Sequence, residues 1–421
     1  MSAAPGGGAP SGEAADTAAV VDLAMEAGRM IHRFGGTAGA VERVVTLAAR
    51  RHGLEAEVFA SPTMLQAAFG PRGDQRLAIA RTAPGAPDLG GRARAEEILA
   101  RHFAGTAAIA ETRAELARLR DAPRGLPAPW MLLAGATASA AAARVFGGGL
   151  EEIAASGFIG LLVGALAWAA ERARWIDRLF PCVAALVASA AAAEWARRRP
   201  GFAAPTAVVS ALIVLLPGLS LTVAVAELAA RHLASGVARL AHAAMTLLLM
   251  AFGVALGDRL VAAPSTAANA APRALPGWTE WFAVAVAPLA FAGLLRAAPR
   301  DWVTVVVGGV LGFSLGRFGA EAAGAELGAF FGAFGVAVIA NAWSRLADRS
   351  ASLIMTPGFL MLVPGAVGLR SLTSFVRREV IEGVGGVFNV VLIAVAIVAG
   401  LFLAQQLVPP RFVELPEDEP R

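Results

Sequence analysis

Two Pro-Gly pairs interrupt long apolar stretches of this chain at equivalent places. Pro217-Gly218 and Pro364-Gly365 lie 147 positions apart, each in the fourth of five apolar segments. Proline removes a helix hydrogen bond and glycine frees the backbone, so each pair is expected to break its helix. Freed backbone groups are tolerated at membrane depth only where protein or a cavity satisfies them. The pattern therefore predicts two broken helices that share a binding site, as in transporters built from repeats.

The composition indicates that much of the chain is solvated by lipid. It is 57% hydrophobic and 16% charged, with a mean hydropathy of +0.62. The basic side chains are all arginine, and the formal net charge of +4 is modest, so we expect no nucleic-acid partner. The single cysteine, Cys182, excludes an intramolecular disulfide and a thiolate cluster. The five histidines have no metal-like spacing, so we expect no metal and no cofactor.

Ten apolar segments of near-spanning length follow a polar N-terminal region. Because a unit with five spans ends on the opposite side of the membrane, its tandem copy must insert upside down. We therefore predict a polytopic α-helical membrane protein with ten transmembrane helices, arranged as two inverted five-helix repeats over 127–262 and 277–408. The segments are 129–146, 152–170, 179–196, 203–228 and 237–260, then 279–297, 301–317, 321–344, 351–373 and 383–407.

The N-terminal region, 17–126, has the periodicity of a small soluble α+β domain. Residues 1–16 and 409–421 are predicted to be a disordered tail and a polar tail, and the glycine-rich run 35–39 a helix-to-helix turn. Arginines before the first span favour a cytoplasmic N-terminal domain, although the triplet at 197–199 opposes this orientation. The predicted helices are 20–33, 41–51, 92–102 and 107–120, and the predicted strands are 55–60, 64–69 and 75–81.

Candidate substrate-binding residues surround the two breaks. A helix that starts at a break presents amide donors and a positive dipole end, which suit a substrate carboxylate. The hydroxyls just past the first break could bind substrate or bond back to a helix carbonyl, and a midspan amide could bind substrate or simply join helices. The predicted set is Pro217, Gly218, Ser220, Thr222, Pro364, Gly365 and Asn389.

Glu227 is the candidate proton-coupling residue. It lies in an apolar context ten positions beyond Pro217, where an ionisable side chain is costly. The alternative is a solvated helix end beside Arg231 and His232. Weaker candidates, closer to helix ends, are Glu321, Glu326 and Glu382. No nucleophile, base and orienting acid form a catalytic set and no nucleotide-binding motif is complete, so an enzyme is not expected.

Several short motifs resemble those of one transporter family. In the N-terminal region these are GTAGAVE at 36–42, GL at 53–54 and VFASPT at 58–63; in the apolar part they are LLPG at 215–218, TPG at 356–358 and LVPG at 362–365. In this order and spacing the chain resembles the threonine/serine exporters over about residues 17 to 405, in the form that fuses both components. It departs at Ala40, where an arginine is expected in relatives.

The resemblance implies export of small hydroxy amino acids driven by the proton motive force. Some two-component relatives are associated with dicarboxylate export, for which Arg370 is the one evident cation near the midplane. The predicted function is thus a proton-coupled secondary exporter of threonine or serine in a bacterial inner (plasma) membrane. Its partners are the substrate, protons and the bilayer, and a homo-oligomer is left open. The alternatives are a dicarboxylate exporter, or a membrane sensor or enzyme that uses the cytoplasmic domain.

Overall fold

The structure is a computed structural model that describes residues 12–83, 85–122, 126–170, 172, 179–261, 272–362, 365–376 and 380–410. At 12–16, 366, 372, 373, 375, 376, 380 and 382 it describes the backbone only. The chain forms two units. One contains the described residues up to 122, and the other contains those from 126 onwards. Each unit has its own buried core.

The N-terminal unit has four helices and one antiparallel sheet in its described residues. The strands run in the order β1-β2-β3, and Leu65, Ala67 and Phe69 on one face of β2 are buried among the helices. Every predicted element is confirmed: β2 has the predicted bounds, the others are shifted at one or both ends, and the first helix already begins within the predicted tail. The elements are α1 Gly12–Arg33, α2 Ala38–Arg50, β1 Ala56–Ser61, β2 Met64–Phe69, β3 Arg76–Arg81, α3 Leu89–Phe103 and α4 Ile109–Asp121.

A tight turn joins α1 to α2, as predicted for the run 35–39. Gly35 has φ +81, a left-handed conformation that favours glycine. The Thr37 hydroxyl accepts a hydrogen bond from Ala40 N at 3.3 Å and caps α2. Glu42 then reaches the sheet, where its Oε1 accepts from Ala60 N at 2.9 Å. The glycine-rich motif is therefore structural in this unit.

Two histidines are in contact at the C-terminal end of α3. The Nε2 atoms of His52 and His102 are 3.0 Å apart, and His102 Nδ1 is 3.1 Å from the Ala107 carbonyl oxygen. Because a carbonyl only accepts, His102 donates through Nδ1 and accepts from His52 through Nε2. Burial lowers the pKa of the His102 imidazole, with smaller contributions from the neighbouring His52 and Arg51. His102 is therefore a neutral core residue at neutral pH.

All regular secondary structure among the described residues of the second unit is helical. Two of the ten predicted segments are each divided into two helices. The helices are α5 Ala128–Val145, α6 Leu150–Ala170, α7 Phe180–Arg198, α8 Ala204–Ala211, α9 Gly218–Ala229, α10 Leu233–Val261, α11 Trp278–Leu294, α12 Trp302–Ala323, α13 Ala325–Ala347, α14 Ser352–Leu362, α15 Gly365–Val376 and α16 Val380–Leu407.

Within the described residues, six stretches are long and apolar enough to cross a membrane. They correspond to α6, α10, α12, α13, the stretch Ser352–Ser371 and most of α16. A seventh is added if α8 and the following helix, which are bent by 49° at the first break, count as one span. The helices α5, α7 and α11 do not meet the same criterion of length and composition. The chain is therefore a multi-pass membrane protein, and ten spans stay a prediction.

Both halves of this unit have the same order of elements. Each has three unbroken helices, a broken helix and a long fifth helix. Equivalent glycines allow the third and fifth helices to approach closely in both halves. A Cβ at Gly253 would clash with the carbonyl oxygen of Cys182, and a Cβ at Gly400 would clash with that of Phe330. The two glycines are 147 positions apart, as are the two breaks.

Contacts between the halves are reciprocal. The fifth helix of the first half, α10, packs on α15, and the fifth helix of the second half, α16, packs on α9. The two first helices, α5 and α11, pack on each other. Exchanging the halves leaves this set of contacts unchanged.

We predict that valine at either tight glycine destabilises the unit. Gly253→Val and Gly400→Val insert side chains against a backbone carbonyl, and overpacking typically costs about 1–3 kcal/mol. The thermal midpoint of the protein purified in detergent should fall in both variants. Gly385→Val is the matched control, because no atom lies within 4 Å of a Cβ built there. Equal midpoints for all three variants would contradict the packing argument.

Candidate functional site

Both Pro-Gly pairs are helix breaks. At the first, α8 ends at Ala211, a short 3-10 turn spans Ile213–Leu215, and α9 begins at Gly218 directly after Pro217. At the second, α14 ends at Leu362 and α15 begins at Gly365. Pro364 itself lies outside the described residues. Each fourth segment is therefore two helices whose second part begins at the glycine.

The two breaks meet inside the unit. Gly218 and Gly365 are both buried. A Cβ at Gly365 would lie 3.3 Å from the Cα of Gly218 and 3.2 Å from the Cβ of Leu216. Glycine fits this close backbone approach without displacing its neighbours, whereas a larger residue would push them apart. Two predicted site residues that are 147 positions apart in sequence are thus in contact.

The meeting point brings together the N-termini of α9 and α15. In α9 the first helical hydrogen bond runs from Leu221 N to Pro217 O, at 2.9 Å. The amides of Gly218, Leu219 and Ser220 therefore have no acceptor one turn earlier in their own helix. Unsatisfied amides and aligned peptide dipoles give a helix start a partial positive charge. Two such starts side by side favour an anionic group between them.

The two hydroxyl side chains that follow the first break differ in exposure and in hydrogen bonding. Ser220 is partly exposed in the first turn of α9. Thr222 is buried, and its hydroxyl donates to Gly218 O at 3.3 Å, which is the back-bonding alternative for this residue. Of the two hydroxyls past the first break, Ser220 is thus the one placed at the helix start.

Asn389 lies on α16 and has a buried, unused acceptor. Among the described residues, no group donates a hydrogen bond to its Oδ1. Ile393, one turn further on the same face, belongs to the same apolar cluster as Leu219 in the first turn of α9. A buried amide oxygen without a donor is costly, so this position is suited to a ligand or water that donates.

Glu227 is buried in an ion pair. It is 2% exposed, and its Oε2 is 3.1 Å from Arg239 Nε and accepts from Ser235 Oγ at 2.7 Å. Both partners belong to α10, so the pair joins the helix that starts at the break to the next one. The burial rules out the alternative of a solvated helix end. Arg239 and Ser235 were not predicted as partners of Glu227, because helical spacing alone does not show which side chains of two consecutive helices are in contact.

Two of the three weaker proton-coupling candidates have side chains that the structure describes, and Glu326 is half-buried in the first turn of α13. Glu321 is exposed and pairs with Arg317 at 2.9 Å, and the side chain of Glu382 lies outside the described residues. Arg370 is exposed on α15, with its guanidinium carbon 5.4 Å from the centroid of the Phe146 ring. Among the described residues, no three metal-ligating side chains converge on one point.

Comparison with known families matches nearly the whole chain. The family described as "Putative threonine/serine exporter" matches residues 22–261, and the family "Threonine/Serine exporter, ThrE" matches residues 280–407. The boundary between the two matches falls between α10 and α11, where one half of the membrane unit ends and the other begins. The chain belongs to the threonine/serine exporter family.

Curated relatives come from fungi. The chain is 28% identical over 262 residues to pheromone-regulated membrane protein 10 of Eremothecium gossypii, covering 59% of this chain and 35% of that protein. It is 26% identical over 253 residues to pheromone-regulated membrane protein 10 of Saccharomyces cerevisiae, covering 57% of this chain and 65% of that protein. The chain thus spans about a third of the first relative and under two thirds of the second. No solved structure matches the chain.

We predict a strong interaction between Glu227 and Arg239 in stability measurements. Glu227→Gln and Arg239→Gln each remove one partner of a buried ion pair, which typically costs about 3–5 kcal/mol. The double variant should be more stable than either single variant, as measured by thermal unfolding in detergent. Arg317→Gln, at an exposed pair, is the control and should cost under about 1 kcal/mol. Additive effects of the two single substitutions would show that the ion pair does not form.

Proposed function

We propose that this protein is a secondary exporter that binds a small hydroxy amino acid, threonine or serine, where its two broken helices meet. The observation that carries the proposal is the contact between Gly218 and Gly365. It places two helix starts, with their amide donors, at one buried point in a membrane protein of an exporter family. Transport rather than catalysis is proposed because the site supplies amide donors, while the described residues around the breaks include no set of reactive side chains.

The chemistry of the site fits a zwitterionic substrate. The amides at the starts of α9 and α15 bind the carboxylate, as at other helix N-termini. The Oδ1 of Asn389 accepts from the ammonium group or the substrate hydroxyl, and Ser220 adds a second hydrogen bond. Pro217 and Pro364 keep the preceding helices from continuing through the site. Thr222 contributes mainly by shaping the first turn of α9, because its hydroxyl is already bonded to Gly218 O.

The proposed architecture is ten spans in two inverted five-helix repeats. It is supported by the equal order of elements, the equivalent tight glycines and the reciprocal contacts between the halves. The helices α5, α7 and α11 then also cross the bilayer. Buried alanines line α7 at helical spacing, namely Ala184, Ala185, Ala188, Ala192, Ala193 and Ala196, which suits contact with other helices rather than lipid. The N-terminal unit is placed in the cytoplasm, where it regulates access, and the membrane is a bacterial plasma membrane.

Proton coupling is assigned to Glu227. Its carboxylate holds α10 to α9 through Arg239, and α9 begins at the substrate site. Protonation cancels one charge of the pair and weakens the contact between the two helices. Proton binding on one side of the membrane can thereby be linked to movement of the helix that carries Gly218 and Ser220.

Transport by membrane vesicles tests the proposal. Inside-out vesicles containing the protein should accumulate labelled threonine or serine when an imposed gradient drives protons out of the vesicle lumen. Gly218→Leu and Gly365→Leu should abolish this while the protein stays in the membrane, because the larger side chains fill the contact between the breaks. Gly385→Leu, at an open helix position, is the matched control. Accumulation of labelled succinate instead of the amino acids would favour the dicarboxylate alternative, and no accumulation of any of the three would contradict export.

Replacement of Glu227 tests the coupling separately. Glu227→Gln is a permanent mimic of the protonated side chain, so gradient-driven accumulation should be lost. Exchange of labelled for unlabelled substrate, which needs no net proton movement, should persist when rates are normalised to folded protein. Normal gradient-driven accumulation by Glu227→Gln would remove this residue from the mechanism.

A further inference from the structure

Glu152 joins the starts of two helices in the first half. It is 2% exposed in the first turn of α6. Its Oε2 accepts from Gly149 N at 2.8 Å, directly before α6, and its Oε1 accepts from Ala203 N at 2.8 Å, directly before α8. One carboxylate therefore satisfies a free amide at the N-terminus of each helix, where its negative charge also opposes the positive dipole ends.

A comparable buried carboxylate, Asp301, lies at the start of the second helix in the second half. It precedes α12, the second helix of that half, and is also 2% exposed. Its Oδ1 forms an ion pair and a hydrogen bond with Nη2 of Arg349, in the segment that leads into α14. In each half, then, a buried carboxylate at the start of the second helix binds the start of the broken helix.

The broken helices need such an anchor more than the others do. The helix α8 spans only Ala204–Ala211, and α14 spans Ser352–Leu362. Isolated helices of this length are marginal, so external contacts decide where they lie. Hydrogen bonds to a charged acceptor are about twice as strong as neutral ones. Glu152 and Asp301 therefore hold the ends of α8 and α14 that are remote from the substrate site.

We propose that Glu152 and Asp301 are a pair of positioning residues that set the balance between outward-open and inward-open states of the exporter. This inference rests on the proposed transport function and on the inverted arrangement. In that arrangement Glu152 lies near the outer face and Asp301 near the inner face. Loosening one anchor frees the broken helix on that face only, so the two residues act in opposite directions.

Sided labelling of a cysteine at the site tests the proposal. The parent carries Cys182→Ser and Ser220→Cys, and a membrane-impermeant thiol reagent is applied to right-side-out and to inside-out vesicles. Glu152→Gln keeps the size of the side chain but loses the charge, so the ratio of outside to inside labelling rates should rise about tenfold. Asp301→Asn should lower the same ratio by a similar factor.

A neighbouring exposed charge serves as the control. Glu151→Gln changes a half-exposed residue that pairs with Arg199 at 3.5 Å. It should leave the labelling ratio within about twofold of the parent, which corresponds to the small effect of exposed pairs. Size-exclusion chromatography in detergent confirms that each variant is folded before its ratio is compared.

The labelling and export measurements distinguish the positioning role of Glu152 and Asp301 from the proposed transport function. Opposite shifts for Glu152→Gln and Asp301→Asn support the proposal. Shifts in the same direction, or no shift in folded protein, overturn it. Export of amino acids by the unsubstituted protein, measured in the same vesicles, tests the proposed function independently. An exporter with unshifted labelling therefore refutes the positioning role alone, and a protein that exports nothing refutes the transport function.

Discussion

The close approach of Gly218 and Gly365 is the contact on which the rest of the membrane unit depends. Two helices that start at the same buried point expose amide donors that no residue of their own helix can accept. In hydrocarbon each such group costs several kcal/mol, so the arrangement is stable only around water, a polar side chain or a ligand. The Oδ1 of Asn389, which accepts from none of the described residues, adds a buried acceptor on α16. The proposed zwitterionic substrate would use both the amide donors of the breaks and this acceptor.

The surrounding helices hold this point in place through small residues. Gly253 and Gly400 let the fifth helix of each half lie against a backbone carbonyl of the third, and alanines fill much of the remaining interface. Between the halves, each fifth helix packs on the second part of the other half's broken helix. The second part of each broken helix is therefore in direct contact with the opposite half.

The positions of the helices could be predicted from the sequence, but the side-chain contacts between them could not. The strands around 55–81, the turn at Gly35 and both breaks followed from periodicity and from the local chemistry of proline and glycine. The contact between Glu227 and Arg239 could not be predicted in this way, because it depends on the angle between α9 and α10 at the turn that connects them. The hydropathy of the sequence identified α5, α7 and α11 as apolar segments. Alanine-rich or short helices, however, have too low a hydropathy or too few residues to be identified as membrane spans. Whether these three helices span the membrane is therefore decided by their packing against other helices and not by their composition.

The inverted arrangement is tested most directly by the sidedness of two equivalent positions. Leu150, at the start of α6, and Pro299, just before α12, are both exposed and 149 positions apart. Single cysteines at these positions, in the Cys182→Ser background, would be labelled in intact cells with an impermeant thiol reagent. The account predicts labelling of Leu150→Cys from outside and of Pro299→Cys only after the membrane is opened. Labelling of both from the same side would contradict it.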